Sequence, residues 1–124
     1  MKNILLISVL IIISSCSSRN FIVTKIYFGL TGPNNTVISG KDFDIFVDST
    51  ITPLFPNGFT VYSTEGRWKN ISNETIKEDS RVIEIINAAK TEDREKIRTI
   101  AKSYKKRFQQ ESVLITEESV IADF

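Results

Sequence analysis

The sequence predicts an α+β fold with four strands and two helices, in the order strand, helix, strand, strand, helix, strand. Three observations carry this expectation. Residues Phe21 to Leu30 are dense in aromatic and β-branched types, as a strand requires. Ile97, Ile100, Ala101, Tyr104 and Phe108 recur at helical spacing and form an unbroken apolar stripe. Between these lie a second helical pattern and two apolar runs separated by the polar, turn-like stretch Asn70 to Thr75. A chain of 124 residues allows one domain and one core.

In the first strand, Ile22, Ile26, Phe28 and Leu30 share one face, and Lys25, Tyr27 and Gly29 share the other. Gly32-Pro33-Asn34-Asn35 is a loop signal. Ser39 stands three residues before Asp42, a capping-box spacing. Phe43, Phe46, Val47, Ile51 and Leu54 follow at helical intervals, and Pro53 is expected to end or kink that helix. Phe55-Pro56-Asn57-Gly58 turns the chain into a second strand from Phe59, with Gly66 and Trp68 suggesting continuation past a bulge or close backbone approach. The third strand runs from about Ile76 to Ile86. Thr91 starts the second helix, with Glu92 and Asp93 placed at the positive end of its dipole. Ser112 to Thr116 is a strand, and Val120, Ala122 and Phe124 alternate to the end.

This order is that of the ferredoxin-like split βαββαβ arrangement: a four-stranded antiparallel sheet, the first and third strands central, both helices on one face. The first helix carries Asp42, Asp44 and Asp48 against Lys41, whereas Lys90 to Arg107 carries eight basic and three acidic residues. Opposite charge on neighbouring helices would attract modestly.

The amino terminus carries an address. Met1-Lys2-Asn3 is a short positive start, and Ile4 to Ile13 is apolar except at Ser8. A run of about ten residues is too short to span a bilayer and has the layout of a signal peptide. Ile13-Ser14-Ser15-Cys16 resembles the lipobox of bacterial lipoproteins. That resemblance implies removal of residues 1–15, acylation of Cys16, a short tether over residues 16–20 and a single α+β domain over residues 21–124. A plain signal peptide or an uncleaved anchor are the alternatives. Ser17, where an inner-membrane retention signal would have Asp, favours the outer membrane facing the periplasm. Four extended residues reach about 14 Å, so the domain is expected to hang close to the bilayer.

Composition excludes several classes of function. Lys and Arg number 16 against 15 Asp and Glu, which argues against a nucleic-acid binder. There is no His and one Cys. A zinc finger, a disulfide scaffold and a His-based triad are therefore absent, and no cofactor or metal site is expected. Glu117 and Glu118 are adjacent and on a strand point to opposite faces, so they cannot share a proton.

Tyr27-Phe28-Gly29, the stretch Ile51-Thr52-Pro53-Leu54-Phe55-Pro56-Asn57-Gly58-Phe59-Thr60-Val61, Gly66-Arg67-Trp68, Glu78-Asp79-Ser80-Arg81-Val82 and the stretch Tyr104 to Val113 occur in succession. This succession resembles the small secreted bacterial family called domain of unknown function 3574, over about Thr24 to Phe124. The most specific pieces are Thr-Pro-x-Phe-Pro-x-Gly and Arg-Phe-x-Gln-Glu-Ser-Val. The resemblance implies a secreted or lipoprotein α+β domain and no reaction, substrate or cofactor.

Candidate binding residues follow from placement. Tyr104, Arg107, Phe108 and Glu111 share one side of the second helix's last turns. Glu78, Ser80 and Arg81 open the third strand, and Trp68 lies across the hairpin. A pocket where these meet could take an anionic or aromatic small molecule, with Arg as a fork and Trp or Tyr as a stacking face. The alternative is structural: Arg107 or Arg81 pairs with Glu111 or Glu78 to join helix and sheet. Arg94, Arg98, Lys102 and Lys105 form a basic stripe that could rest on anionic headgroups or simply face solvent. The uncovered sheet face, with Lys25, Tyr27 and Tyr62, is a candidate surface for a homodimer or a ligand by fold analogy. The functional expectation is a membrane-anchored binding or interaction module without catalysis. The alternative is a cofactor-independent enzyme acting on a small molecule in a dimeric α/β arrangement.

Overall fold

The computed structural model describes residues 20–122; the signal segment, Cys16, most of the tether and Phe124 lie outside the described residues. Four strands, β1 (Asn20–Gly29), β2 (Thr60–Lys69), β3 (Thr75–Asn87) and β4 (Leu114–Ile121), form one antiparallel sheet in the order β2-β3-β1-β4. The two central places go to β1 and β3, as their apolar composition predicts. Helix α1 (Gly40–Phe46) continues through a π-helical turn (Val47–Ile51) into the short α2 (Thr52–Leu54), and α3 (Thr91–Phe108) follows β3. This is the α+β, ferredoxin-like arrangement.

Each boundary has a local cause. Ser39 caps α1: its hydroxyl accepts the Asp42 amide at 3.1 Å and donates to the Asp42 carboxylate at 2.6 Å. The helix ends at Leu54, one residue after Pro53, in line with the expectation. Pro53 has no amide proton to donate, and the chain widens one turn earlier so that Thr52 N–H reaches back five residues to Val47 C=O. Phe55 to Gly58 then form a turn closed by Gly58 N–H to Phe55 C=O at 3.2 Å, with Gly58 at φ 118°. Helix α3 stops at Gln109, which is left-handed at φ 53°. Gln110 N–H bonds Lys105 C=O at 3.1 Å, and the Gln110 side-chain amide donates to Thr31 C=O at 3.0 Å, pinning the helix end to the loop after β1.

The expected bulge at Gly66 is absent. Register between β2 and β3 is unbroken from Thr60↔Glu84 to Lys69↔Thr75. A Cβ on Gly66 would meet only Glu78 C=O at an ordinary 3.8 Å, so the backbone there is not crowded. The last strand is also shifted: it begins at Leu114 rather than Ser112, because the αL stop at Gln109 needs several more residues to return the chain to the sheet edge.

The core lies between the sheet and the helices. Ile26, Phe28, Ile83 and Ile85 of the sheet meet Phe43, Phe46 and Ile51 of the first helical segment and Ile97, Ile100 and Tyr104 of α3. Phe28 and Tyr104 rings stand 4.6 Å apart, and Phe46 is 5.2 Å from Tyr104. Edge-on aromatic pairs of this kind add about 0.5–1.5 kcal/mol each beyond burial. The two helices meet through such rings, Phe43–Tyr104 and Phe46–Phe108. No ion pair joins them among the described residues, so the expected charge attraction is not what docks them. The buried polar residues Thr24 and Asn87 satisfy one another: the Asn87 amide donates to Thr24 Oγ1 at 3.0 Å, and Asn87 Oδ1 accepts Ala89 N–H at 2.9 Å.

Tyr104 is fully buried, and its hydroxyl donates to Gly29 C=O at 2.7 Å. Burial first, and the nearby Glu78 carboxylate second, push its ionisation well above the ordinary phenol value. In the unfolded chain the phenol titrates near 10, so this contribution is complete below pH 10 and is lost as pH rises above it. Chemical denaturation of wild type and Tyr104→Phe across pH 8 to 11.5 is expected to show two effects. The variant loses about 1 kcal/mol at pH 8. Above pH 10 wild type declines more steeply than the variant, by at most about 1.4 kcal/mol per pH unit. Parallel slopes would place the titration elsewhere.

Candidate functional site

The sheet presents one face to the helices and leaves the other uncovered, and this divides the candidate residues. Alternation puts Tyr27, Ser80 and Trp68 on the uncovered face, together with Tyr62 and Glu78. Arg81 pairs in register with Phe28, on the helix-covered side at its rim, and its guanidinium donates to Ser80 C=O at 3.3 Å. Tyr104 is in the core. Arg107 is exposed, its guanidinium 5.4 Å from the Phe108 ring centre, and Glu111 is exposed beyond the helix end. Among the described residues neither Arg81 nor Arg107 pairs with Glu78 or Glu111. The structure therefore places three of the proposed residues on one face of the sheet, at separate points along it, and the other four elsewhere.

The uncovered face has a graded chemistry. One row crosses all four strands as Tyr62, Val82, Tyr27 and Leu114. Val82 is buried although no helix covers it, and Leu114 is 59% exposed. The next row is polar: Lys25 pairs with Glu84 at 3.4 Å, and the Tyr62 hydroxyl donates to the same carboxylate at 3.1 Å. That hydrogen bond raises the ionisation of Tyr62. On the outer face of α3, Arg94 reaches Glu117 at 3.9 Å, so the basic stripe is partly neutralised by the edge strand.

A hollow of ligand size lies elsewhere. A cleft of about 670 Å³ opens at the end of the sheet where β1 begins. One wall is the turn from Leu54 to Thr60; the opposite wall is the first turns of α3, with Lys90, Glu92, Asp93 and Lys96. Phe21, Ile86 and Ala88 close it from the sheet side. Its volume suits a small organic ligand. Phe55, Phe59, Leu54 and Ile86 make the surface largely apolar. The charges sit at the rim, where Lys96 and Glu92 pair at 2.8 Å and Lys96 Nζ lies 5.9 Å from the Phe55 ring centre. The hydrogen bond with Lys96 lowers the Glu92 carboxyl and raises the Lys96 ammonium from their usual values. The Asn87–Thr24 bond and the Asx turn to Ala89 hold the floor of the cleft at the end of β3. No group of three or more His, Cys, Asp or Glu among the described residues is arranged to hold a metal ion.

Sequence reading named Tyr27, Trp68, Ser80, Arg81, Tyr104, Arg107 and Glu111 as candidates, and none of these lines this cleft. The signal was present in the Thr-Pro-x-Phe-Pro-x-Gly stretch, whose residues Phe55, Pro56 and Gly58 line it. The other specific stretch is structural. Phe108 packs on the core, Gln110 pins the helix end and Val113 is half-buried against the core. Replacing Arg107 with Ala is accordingly expected to shift stability by less than about 0.5 kcal/mol, as for a surface position without a partner. A loss above about 1.5 kcal/mol in denaturant melts would restore the helix–sheet ion pair.

No curated protein matches the chain. Two solved structures similar to it are those of a phage SAM lyase. The one in complex with S-methyl-5'-thioadenosine is 20% identical, with 82% of this chain and 90% of the lyase chain covered at a TM-score of 0.57. The apo-state structure is 19% identical, with 83% and 90% covered at a TM-score of 0.56. The likeness is one of fold. The family model for proteins of unknown function DUF3574 matches residues 23–124, and the chain belongs to that family.

Proposed function

We propose that the chain is a membrane-anchored lipoprotein whose domain binds a small organic molecule in the cleft at the start of β1, on the periplasmic side of the outer membrane. The cleft carries this reading: a hollow of ligand size with mixed apolar and polar lining, walled by one of the two stretches that carry the family resemblance and by the charged first turns of α3. The anchor fits the same end of the molecule. Cys16 stands five residues before Phe21, which lines the cleft, so the lipidated residue and the cleft are within about 18 Å of one another along an extended chain. Two or three acyl chains at about 0.8 kcal/mol per buried CH₂ would hold the domain at the bilayer. No helix among the described residues is long and apolar enough to cross a membrane. A ligand in the cleft would lie against Phe55, Phe59 and Ile86 and meet Lys90 and Asp93 at the rim.

A second reading, a cofactor-independent enzyme acting on a small molecule, draws support from the fold likeness to the phage SAM lyase solved with S-methyl-5'-thioadenosine. A thioadenosine combines a flat apolar ring with polar edges, which is the chemistry the cleft offers.

Two experiments test these readings. In the bacterium, Cys16→Ser is expected to abolish labelling by a fatty-acid analogue and to release the protein from membranes; persistent labelling sinks the lipoprotein. The released Cys16→Ser protein, incubated with S-methyl-5'-thioadenosine or S-adenosylmethionine, then tests the cleft. A ligand-dependent rise in Tm that disappears in Ile86→Asp, a change at a position already 44% exposed, supports binding there. Appearance of S-methyl-5'-thioadenosine from S-adenosylmethionine would favour the enzyme. A rise in Tm that Ile86→Asp leaves intact places the ligand outside the cleft.

A further inference from the structure

We infer that the cleft takes an extended peptide segment, which adds its backbone to an open edge of β3 at Ile86, in the place that β2 vacates; this rests on the cleft being the ligand site proposed above. In an antiparallel ladder a residue turns its N–H and C=O to the same neighbouring strand, and successive residues alternate. Two bonds set that alternation for β3. Leu30 N–H donates to Asp79 C=O at 2.9 Å, in register with β1, so the odd-numbered residues of β3 face β1. Asn70 N–H donates to Glu74 C=O at 3.0 Å, in register with β2, so the even-numbered ones face β2.

Ile86 therefore directs both backbone groups to the β2 side, at a level that β2 does not reach. That strand starts at Thr60, opposite Glu84, while β3 runs on to Asn87. The same register would bring Gly58 opposite Ile86. Gly58 has left the sheet: its N–H bonds Phe55 C=O at 3.2 Å and closes the turn. Ile86 N–H and C=O have no hydrogen-bond partner among the described residues. Asn87, only 8% exposed, holds the strand end through its bonds to Thr24 and Ala89, so the open pair is fixed before anything binds.

The open edge lies inside the hollow rather than on an outer rim of the sheet. Ile86, Asn87 and Ala88 line the cleft of about 670 Å³ together with the turn from Leu54 to Thr60 and the first turns of α3. A donor and an acceptor on one extended residue are matched by the acceptor and donor of another, as Glu84 is matched by Thr60. A carboxylate brings acceptors alone, and a hydrocarbon ring brings neither group. Alternation then assigns the side chains. The peptide residue opposite Ile86 sends its side chain to the uncovered face, beside Ile86 and Thr60. The residues before and after it send theirs to the helix side, where Leu54 and Phe55 line the hollow and favour apolar groups.

The probe is the neutral peptide acetyl-Ser-Val-Thr-Val-Ser-amide. Its control carries N-methyl groups on the three central residues, which keeps the side chains and removes the donors. The Cys16→Ser protein, labelled with ¹⁵N-isoleucine, reports amide hydrogen exchange at Ile86, with Ile85, which faces β1, as internal reference. In the free protein Ile86 is expected to exchange fast and Ile85 slowly. Saturating peptide should slow Ile86 by about tenfold or more, and the N-methylated control should not. Ile86→Pro removes the donor at a position where the fold uses no N–H, so it should keep a Tm near that of its parent and bind the peptide about tenfold more weakly. Protection of Ile86 in the free protein, no added protection with the peptide, or equal binding of the N-methylated control overturns the inference, and none of these readings depends on a variant in β3. A rise in Tm with S-methyl-5'-thioadenosine that Ile86→Asp removes, beside no effect of the peptide, keeps the cleft and overturns the peptide. Protection of Ile86 by the peptide with no effect of the nucleoside supports the cleft and the peptide together.

Discussion

The contact on which the rest of this structure depends is that of Tyr104 with Phe28 and Gly29. Tyr104 brings a large ring to the centre of the core, where Phe28, Phe43, Phe46 and Phe108 all meet it edge-on or tilted. Its hydroxyl, carried into the same apolar space, must find an acceptor, and Gly29 C=O at the end of β1 is that acceptor. One side chain thereby sets the distance of α3 from the sheet, its rotation about its own axis and its position along β1. Gln110, just past the helix end, repeats the attachment at Thr31. With α3 held at its carboxyl end, its amino-terminal turns project over the opposite end of the sheet, and the cleft is the space left between them and the Phe55–Phe59 turn.

The same placement separates two chemistries. At the cleft, apolar side chains from a loop and a strand end are ringed by charges that already pair with one another, Glu92 with Lys96 above all. On the uncovered face the apolar row through Tyr62, Val82, Tyr27 and Leu114 gives way to a small-residue patch.

The fold was legible because its elements are locally encoded. The alternation of Ile22, Ile26, Phe28 and Leu30, the Ser39 cap and the stripe from Ile97 to Phe108 each state a period that only one type of element satisfies. One misreading was also local: Gly66 suggested a bulge or close backbone approach, but the register of β2 on β3 runs through it unbroken and uncrowded. Pro53 was expected to end or kink its helix, and the helix does end one residue later, at Leu54, after a π turn. The candidate site was less legible. Arg81, Arg107 and Glu111 were grouped by nearness to element ends, and whether such side chains meet depends on which face of the sheet each one takes.

By itself the sequence determined the order and type of the elements, the central places of β1 and β3, the core residues and the family, because periodicity and composition are properties of short stretches. Only the tertiary structure decided where the cleft lies, that Tyr104 anchors to Gly29, and that the Glu78 carboxylate lies against Gly29. Those facts depend on the register of strands and the seating of α3, which join distant residues such as Tyr104 and Gly29, 75 positions apart in the chain. No local pattern records such a distance, since packing selects among registers only after all the elements exist.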